Sequence, residues 1–188
     1  MIRIDVPPAQ AHDPYCYAGA HHAREIMSAA GEFSKAVYTH SRLSLREFEG
    51  ARARTAELNG CVICQAFRAA RDTPAMFAAN GTRPPHLVSD NGPAPDEAFY
   101  AAVADWRTSP LFSPRERLAI EFAERFAEEP KGLAADEDFW ARAHAAFSDG
   151  ELVDLAHSVA SWVGLGRVAH VLGFDSVCLP FAATADAA

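Results

Sequence analysis

Three times along this chain a serine precedes a glutamate by three residues, at the head of a segment with apolar side chains at helical spacing. The segments are Ser44-Leu45-Arg46-Glu47, Ser113-Pro114-Arg115-Glu116 and Ser148-Asp149-Gly150-Glu151. In each, the hydroxyl can accept the glutamate amide hydrogen while the carboxylate reaches back to the serine amide, so two orphan donors of a helix start are satisfied together. After Ser44, the residues Leu45, Phe48, Ala51, Thr55 and Leu58 share one face, and Asn59-Gly60 supplies a stop where glycine takes a positive φ. After Ser113, Pro114 stands in the favoured first helical position and the helix runs to about Glu129, ahead of Pro130. After Ser148, Leu152, Leu155, Val159, Trp162, Val163 and Val168 lie toward one side until Gly173. Asp136 is placed to cap a shorter helix carrying Phe139, Trp140 and Phe147. No stretch alternates apolar and polar residues as a strand does, and the sequence predicts an all-α fold.

The rest of the chain divides around these helices. Residues 1–17 carry Pro7, Pro8 and Pro14 and read as an extended lead-in. Residues 18–79 form a first helical half, beginning with a helix from Ala18 to about His40 on which Ile26, Ala29, Ala30, Phe33 and Val37 recur at helical spacing. A further helix is expected from Cys61 to about Ala79, packed antiparallel to the one before it so that Glu49 approaches Cys64. Residues 80–95 hold four prolines and two glycines and read as a linker without regular structure. A second helical half follows over 96–175, opening with a helix at 96–107 that bears Phe99, Val103 and Trp106, and 176–188 is a tail. The echo between the Ser44 and Ser113 boxes reads as an internal duplication in which the second half has no cysteine pair.

Composition removes several function classes. The 17 Lys and Arg face 25 Asp and Glu, a net charge of −8 with no basic run, so a nucleic-acid footprint is missing. No apolar run approaches the ~18 residues of a membrane span, and the first residues lack the apolar centre of a signal peptide. A cytoplasmic location is therefore expected. In a reducing compartment four cysteines do not make a disulfide framework. Cys16 and Cys178 stand alone and read as small buried or incidental residues.

The chemistry concentrates in residues 49–68, EGARARTAELNGCVICQAFR. Cys61 and Cys64 are two residues apart at a helix start, where a disulfide can close within one turn and the unpaired backbone amides favour a thiolate. Read alone, the pair also fits half of a zinc site. Structural zinc takes four ligands, and no second CxxC or HxxxH exists, so no metal is expected. Glu49, twelve positions before Cys61, reads on its own as an exposed carboxylate paired with Arg46, Arg52 or Arg54. Arg68, four positions after Cys64, shares its helical face; it can stabilise a thiolate, bind a substrate carboxylate, clamp Glu49, or simply be solvated.

This stretch resembles the active-site pattern Glu-x11-Cys-x2-Cys-x3-His of the alkylhydroperoxidase D (AhpD)-like proteins of the carboxymuconolactone decarboxylase superfamily. Glu49, Cys61 and Cys64 match it, and Arg68 stands where the family has histidine. The resemblance implies an AhpD-like helical fold assembled as a homotrimer or homohexamer, with Glu49, Cys61, Cys64 and Arg68 as the catalytic set. It implies a peroxidase without cofactor or metal. In the family scheme Cys64 attacks a hydroperoxide, Cys61 closes the disulfide, and a thioredoxin-like or lipoyl-type dithiol reopens it; by general dithiol-exchange logic that donor is expected to enter at Cys61, as the more exposed sulfur. It places Glu49 buried beside the thiols in a proton relay, and Arg68 in place of histidine implies a weakened activity. His144, His157 and His170 read as polar-face or core residues, any of which can stand in space for the absent histidine. Trp106, Trp140 and Trp162 read as core or subunit-interface residues. The alternatives are a decarboxylase-like enzyme acting on a small carboxylate or lactone through Arg68, and a non-enzymatic oligomer that responds to redox state.

Overall fold

The computed structural model describes residues 1–79 and 81–174; Cys178 and the 176–188 tail lie outside them. Among the described residues there are ten α-helices and no strand. They are α1 (Pro14–His21), α2 (Arg24–His40), α3 (Leu45–Asn59), α4 (Val62–Ala66), α5 (Ala69–Ala79), α6 (Glu97–Ala101), α7 (Pro114–Glu128), α8 (Pro130–Ala134), α9 (Glu137–Ala146) and α10 (Asp149–Leu172). Single 3-10 turns lie at Pro8–Gln10, Val88–Asp90 and Val103–Asp105.

All three capping boxes close. The amides of Glu47, Glu116 and Glu151 donate to the hydroxyls of Ser44, Ser113 and Ser148 at 3.2–3.3 Å, and each carboxylate accepts the serine amide in return. Gly60 and Gly173 end α3 and α10 in the left-handed conformation, with φ of 68° and 72°. The first two boxes also clasp each other. Arg46 Nε binds Glu116 Oε1 at 2.6 Å, and Arg115 Nε binds Glu47 Oε1 at 2.6 Å, so equivalent residues exchange partners. From that clasp α3 and α7 run parallel. Gly50 lies against Ile120, where a Cβ would come within 3.0 Å of Cγ1, and Arg54 binds Glu124 at 2.7 Å near the far end. The main core forms where α3, α7, α9 and α10 meet, around Phe48, Ala51, Phe122, Phe139, Leu155 and Val159. A second cluster, with Phe99, Val103, Trp106, Phe112 and Ile120, covers the opposite side of the α3–α7 pair. Trp106 and Trp162 are buried and Trp140 packs against the main core.

Several segments depart from the sequence reading. The lead-in is not extended throughout: Asp13 accepts the Cys16 amide at 3.0 Å and Pro14 opens α1, so a proline read as part of an extended segment serves as a helix start. The helix expected over 18–40 breaks at His22–Ala23, where the sequence carries neither proline nor capping side chain. Residues 80–95 are more than a linker. Leu87 and Val88 are fully buried, and Asn91 Nδ2 donates to the Ser41 and Leu43 carbonyls at 2.9 Å each, strapping the segment beneath the start of α3. The helix expected over 96–107 ends at Ala101 and gives way to the Val103–Asp105 turn. The α2 stripe is largely uncovered: Ile26 is 73% and Phe33 39% exposed, while Val37 is buried; Val168 of α10 is exposed too. Cys16 is free and exposed rather than buried. Among the described residues no helix is long and apolar enough to cross a membrane.

The third capping box sets a pH dependence. The Ser148 backbone amide, with help from Arg115 and the Ser148 hydroxyl, holds the Glu151 carboxyl down to about 2 against the upward pull of partial burial. A carboxyl depressed in the folded state stabilises it above the unfolded value of 4.5, and that stability is lost as pH falls toward about 2. Glu151→Gln keeps the box but removes the negative charge at the helix start, and is expected to cost about 0.3–1 kcal/mol near neutral pH. In urea denaturation the difference from wild type should shrink as pH falls from 4.5 to about 2.

Candidate active site at the Cys61–Cys64 turn

The cysteine turn is built from the end of α3. Gly60 redirects the chain, and Asn59 anchors the junction to α10 by donating to the Trp162 carbonyl at 2.8 Å and accepting from Arg167 at 3.1 Å. Gly166 makes room for that amide, since a Cβ there would lie 2.5 Å from Asn59 Nδ2. Cys61 is the N-cap of α4, and its sulfur accepts the Cys64 amide at 3.3 Å. The two cysteines form a disulfide with their Cα atoms 5.2 Å apart. Cys61 is 1% exposed, whereas Cys64 is half-buried. The expectation that Cys61 is the exposed sulfur is therefore reversed: the N-cap position turns its side chain back into the turn.

The helix expected from Cys61 to Ala79 is two helices, and a buried arginine explains the break. Arg52 donates from Nη1 to the Cys64 carbonyl at 2.6 Å and from Nη2 to the Phe67 carbonyl at 2.7 Å. In a continuous helix the Cys64 carbonyl would accept the Arg68 amide. Here that amide goes to Asp72 at 2.7 Å instead, and α5 restarts at Ala69. Arg68 therefore does not share a helical face with Cys64.

Arg52 is held by Glu49, which is fully buried. Glu49 accepts Arg52 Nε at 2.5 Å and Nη2 at 3.2 Å, the Ala69 amide at 3.2 Å, and the Tyr100 hydroxyl. Both carboxylate oxygens are engaged: Glu49 is buried, as the family resemblance implies, and its partner Arg52 is one of the three arginines the sequence offers. Burial acts against the Arg52 charge, but the adjacent Glu49 more than offsets it and Arg52 is held firmly protonated. Burial and the neighbouring Glu49 push Tyr100 upward, so its phenol keeps its proton and donates.

Arg68 lies one layer further out. Its Nε and Nη2 bind Glu97 at 3.0 and 2.8 Å, its Nη1 donates to the Gln65 and Phe67 carbonyls at 2.6 and 2.9 Å, and its guanidinium lies 3.8 Å over the Tyr100 ring. Hydrogen bonds from Arg68 hold Glu97 below its usual range. The cation that clamps Glu49 is thus Arg52, and Arg68 reaches Glu49 only through Tyr100. Of the second-half histidines, His144 faces Asp149 and His157 binds its own helix backbone, while the His170 ring lies against Gly60, next to the turn. Among the described residues no cluster of three or more His, Cys, Asp or Glu side chains is arranged to hold a metal.

Cys64 opens onto a cavity of about 170 Å³ between α2, α4 and α10. Its walls are mostly apolar and include Tyr38, Ile63, Phe67, Trp162 and Leu165, with Arg52 beside Cys64. Sequence reasoning missed Tyr100 and Tyr38 as parts of this site, and offered Arg52 only as one possible partner of an exposed Glu49. Arg52 was within reach of it, lying one helical turn after Glu49.

No protein-family model matches the chain. A stretch of 29 residues is 66% identical to the uncharacterized protein YnjA of Escherichia coli K12, covering 15% of this chain and 16% of that protein's length. A crystal structure from Agrobacterium tumefaciens superimposes with a TM-score of 0.58 at 20% identity, over 92% of this chain and 96% of that one. The fold is AhpD-like. The Agrobacterium protein is described as of unknown function and as a candidate antioxidant defence protein AhpD. On the AhpD-like scaffold of this chain, the Glu49–Arg52 pair joins α3 to both sides of the break that follows the cysteines.

Removing one member of a buried ion pair strands the other charge. Arg52→Met is expected to destabilise the protein by about 3–5 kcal/mol. Arg68→Ala, whose partner Glu97 is 75% exposed, should cost about 1 kcal/mol or less. Urea denaturation of the two variants checks the order, and equal losses would contradict it.

Proposed function

We propose that this chain is a thiol–disulfide oxidoreductase that reduces small hydroperoxides at Cys64. The observation that carries the reading is the Cys61–Cys64 disulfide with Cys64 as its more exposed residue, lining a mostly apolar cavity. In the reduced form the Cys64 thiolate attacks the terminal peroxide oxygen. The O–O bond breaks, the electron pair leaves with the alkoxide, and water protonates the alkoxide to the alcohol. Cys64 is left as a sulfenic acid. Cys61 then attacks the Cys64 sulfur, water departs, and the disulfide forms. A dithiol donor of thioredoxin-like or lipoyl type attacks Cys64, frees Cys61, and leaves as its own disulfide. A reducing compartment such as the cytoplasm suits that donor. The scheme uses no metal or organic cofactor.

In this scheme Arg52 takes the electrostatic part first given to Arg68. It lines the Cys64 cavity, and a fixed positive charge beside a thiol favours the thiolate. Glu49 acts as a positioning residue that fixes Arg52, with Tyr100 and Arg68 closing the outer side. Arg68 spends its guanidinium on Glu97 and two carbonyls, so no observation favours the carboxylate-binding alternative.

The test uses a Cys16→Ser, Cys178→Ser background, since Cys16 is an exposed free thiol. One equivalent of cumene hydroperoxide should consume both remaining thiols together. Cys61→Ser should accumulate a sulfenic acid at Cys64 that dimedone captures, and Cys64→Ser should give none. Thiols that stay reduced under peroxide would falsify the reading.

The uncovered Ile26 and Phe33 on α2 support assembly of several copies, as a trimer or hexamer. Light scattering should report a multiple of 20.3 kDa, and Ile26→Glu with Phe33→Glu should shift it toward the monomer. A 20.3 kDa particle for the wild type at micromolar concentration would rule the assembly out.

A further inference from the structure

The helix α2 presents two faces. On one, Ser34 and Tyr38, four residues apart, line the cavity beside Cys64. On the other, Ile26, Ala29, Phe33, Ala36 and His40 follow one another at steps of three and four residues. That is the a and d spacing of a coiled-coil seam. All five are exposed, and within α2 only Val37 and Thr39 are buried. Beside the seam a second cavity, of about 350 Å³, opens between α2 and the first half of α10. Phe33, Ala36, Val37 and His40 line it from α2, and Val153, itself 58% exposed, and His157 line it from α10. Asp154, which also lines it, spends its carboxylate on the Ser41 and Ser158 hydroxyls and the Arg42 amide.

Alanines at the d positions of an apolar seam let a second helix approach closely. The seam is nearly the same read in either direction: Phe33 is central, Ala29 and Ala36 flank it, and Ile26 and His40 each lie seven residues away. Such a stripe can pair with a copy of itself, and charge sets the direction. The first half of α2 carries the exposed carboxylates Glu25 and Glu32, and its cation Arg24 is turned back onto the Ala20 carbonyl at 3.0 Å. Lys35 reaches its own Glu32 at 3.5 Å. The far end carries exposed His40 and Arg42, with His157 of α10 on the same groove. Parallel pairing would set like charges side by side. Antiparallel pairing sets Glu25 of each copy against the cationic end of the other. The chain carries −8 overall, so two copies repel unless opposite charges meet where they touch.

We propose that α2 and the groove beside it form a two-fold interface, in which the seams of two copies of this chain pack antiparallel about Phe33 and so hold the α2 wall of the Cys64 cavity. The proposal rests on the assembly and peroxidase readings above, and adds the symmetry of the contact and its link to the site. A contact between identical surfaces builds dimers, or hexamers when combined with a three-fold, and cannot by itself close a trimer. Of the trimer and the hexamer it therefore fits the hexamer. The link to the site is the helix itself. Pairing buries the outer face of α2, whose other face bounds the cavity that Cys64 lines.

The experiment places cysteines on the seam of the Cys16→Ser, Cys178→Ser protein. Ala29→Cys with Ala36→Cys should give a cross-linked dimer under mild oxidation, because position 29 of one copy meets position 36 of the other. Either substitution alone should give none. Glu25→Arg should reduce the particle size in light scattering, and adding Arg42→Glu should restore it. On dilution the wild type should lose peroxidase rate per chain, while the cross-linked dimer keeps it. A double variant that does not cross-link overturns the pairing, and single variants that cross-link show the parallel arrangement instead. Both leave the assembly reading standing if particle size still depends on Ile26 and Phe33. A rate per chain that stays constant while the particle dissociates overturns the link to the cavity. If the cross-link forms while cumene hydroperoxide leaves the thiols reduced, the interface stands and the peroxidase reading falls.

Discussion

The turn that carries the cysteines is held by one ion pair buried inside the protein. Glu49 and Arg52 leave water together, and each is then fully spent: the carboxylate on the guanidinium, an amide and a phenol, the guanidinium on the carboxylate and two carbonyls. Pairing of this kind seldom adds net stability over an apolar replacement, but it fixes geometry, because any other arrangement strands a charge. What it fixes here is the end of α4, where the Cys64 carbonyl is taken from the helix and given to a side chain from α3. The break after Ala66 and the restart at Ala69 follow from that exchange.

Around this centre the charges form layers. Arg52 and Glu49 lie innermost, Tyr100 bridges outward, and Arg68 covers the Tyr100 ring while holding an exposed Glu97. The outermost pair is screened by water and contributes mainly by shielding Tyr100. The arginine at position 68, where the resembling pattern has histidine, thus has a structural use on this chain. Its positive charge serves the α4 carbonyls and the Tyr100 ring rather than a travelling proton.

The parts of the structure legible in the sequence were those decided by neighbours along the chain. Serine and glutamate three residues apart, or a glycine after asparagine, act within one turn, and the starts of α3, α7 and α10 and the ends of α3 and α10 followed. The parts that were not legible were decided by distant residues. Nothing between Cys61 and Ala79 announces that a guanidinium from α3 will take a carbonyl at Cys64. That one fact removed Arg68 from the face of the thiols. Leu87 and Val88 are a pair of apolar residues among prolines, too short to show a period, and only the groove beneath α3 makes them core. For Glu49 the family pattern implied burial and the sequence offered Arg52 among its partners, while the Ala69 amide and the Tyr100 hydroxyl came from packing. The order of exposure of the two sulfurs came from the cap geometry of α4, which spacing alone does not encode.

The burial of Cys61 has a kinetic consequence. With one sulfur of the pair sealed beneath the turn, the proposed oxidant and reductant must use the same atom, Cys64, from the same side. They cannot occupy it together. Turnover then alternates between two stable forms of the protein, each blind to the other's substrate. Initial-rate plots against one substrate, at several levels of the other, fall on parallel lines, the signature of a ping-pong exchange.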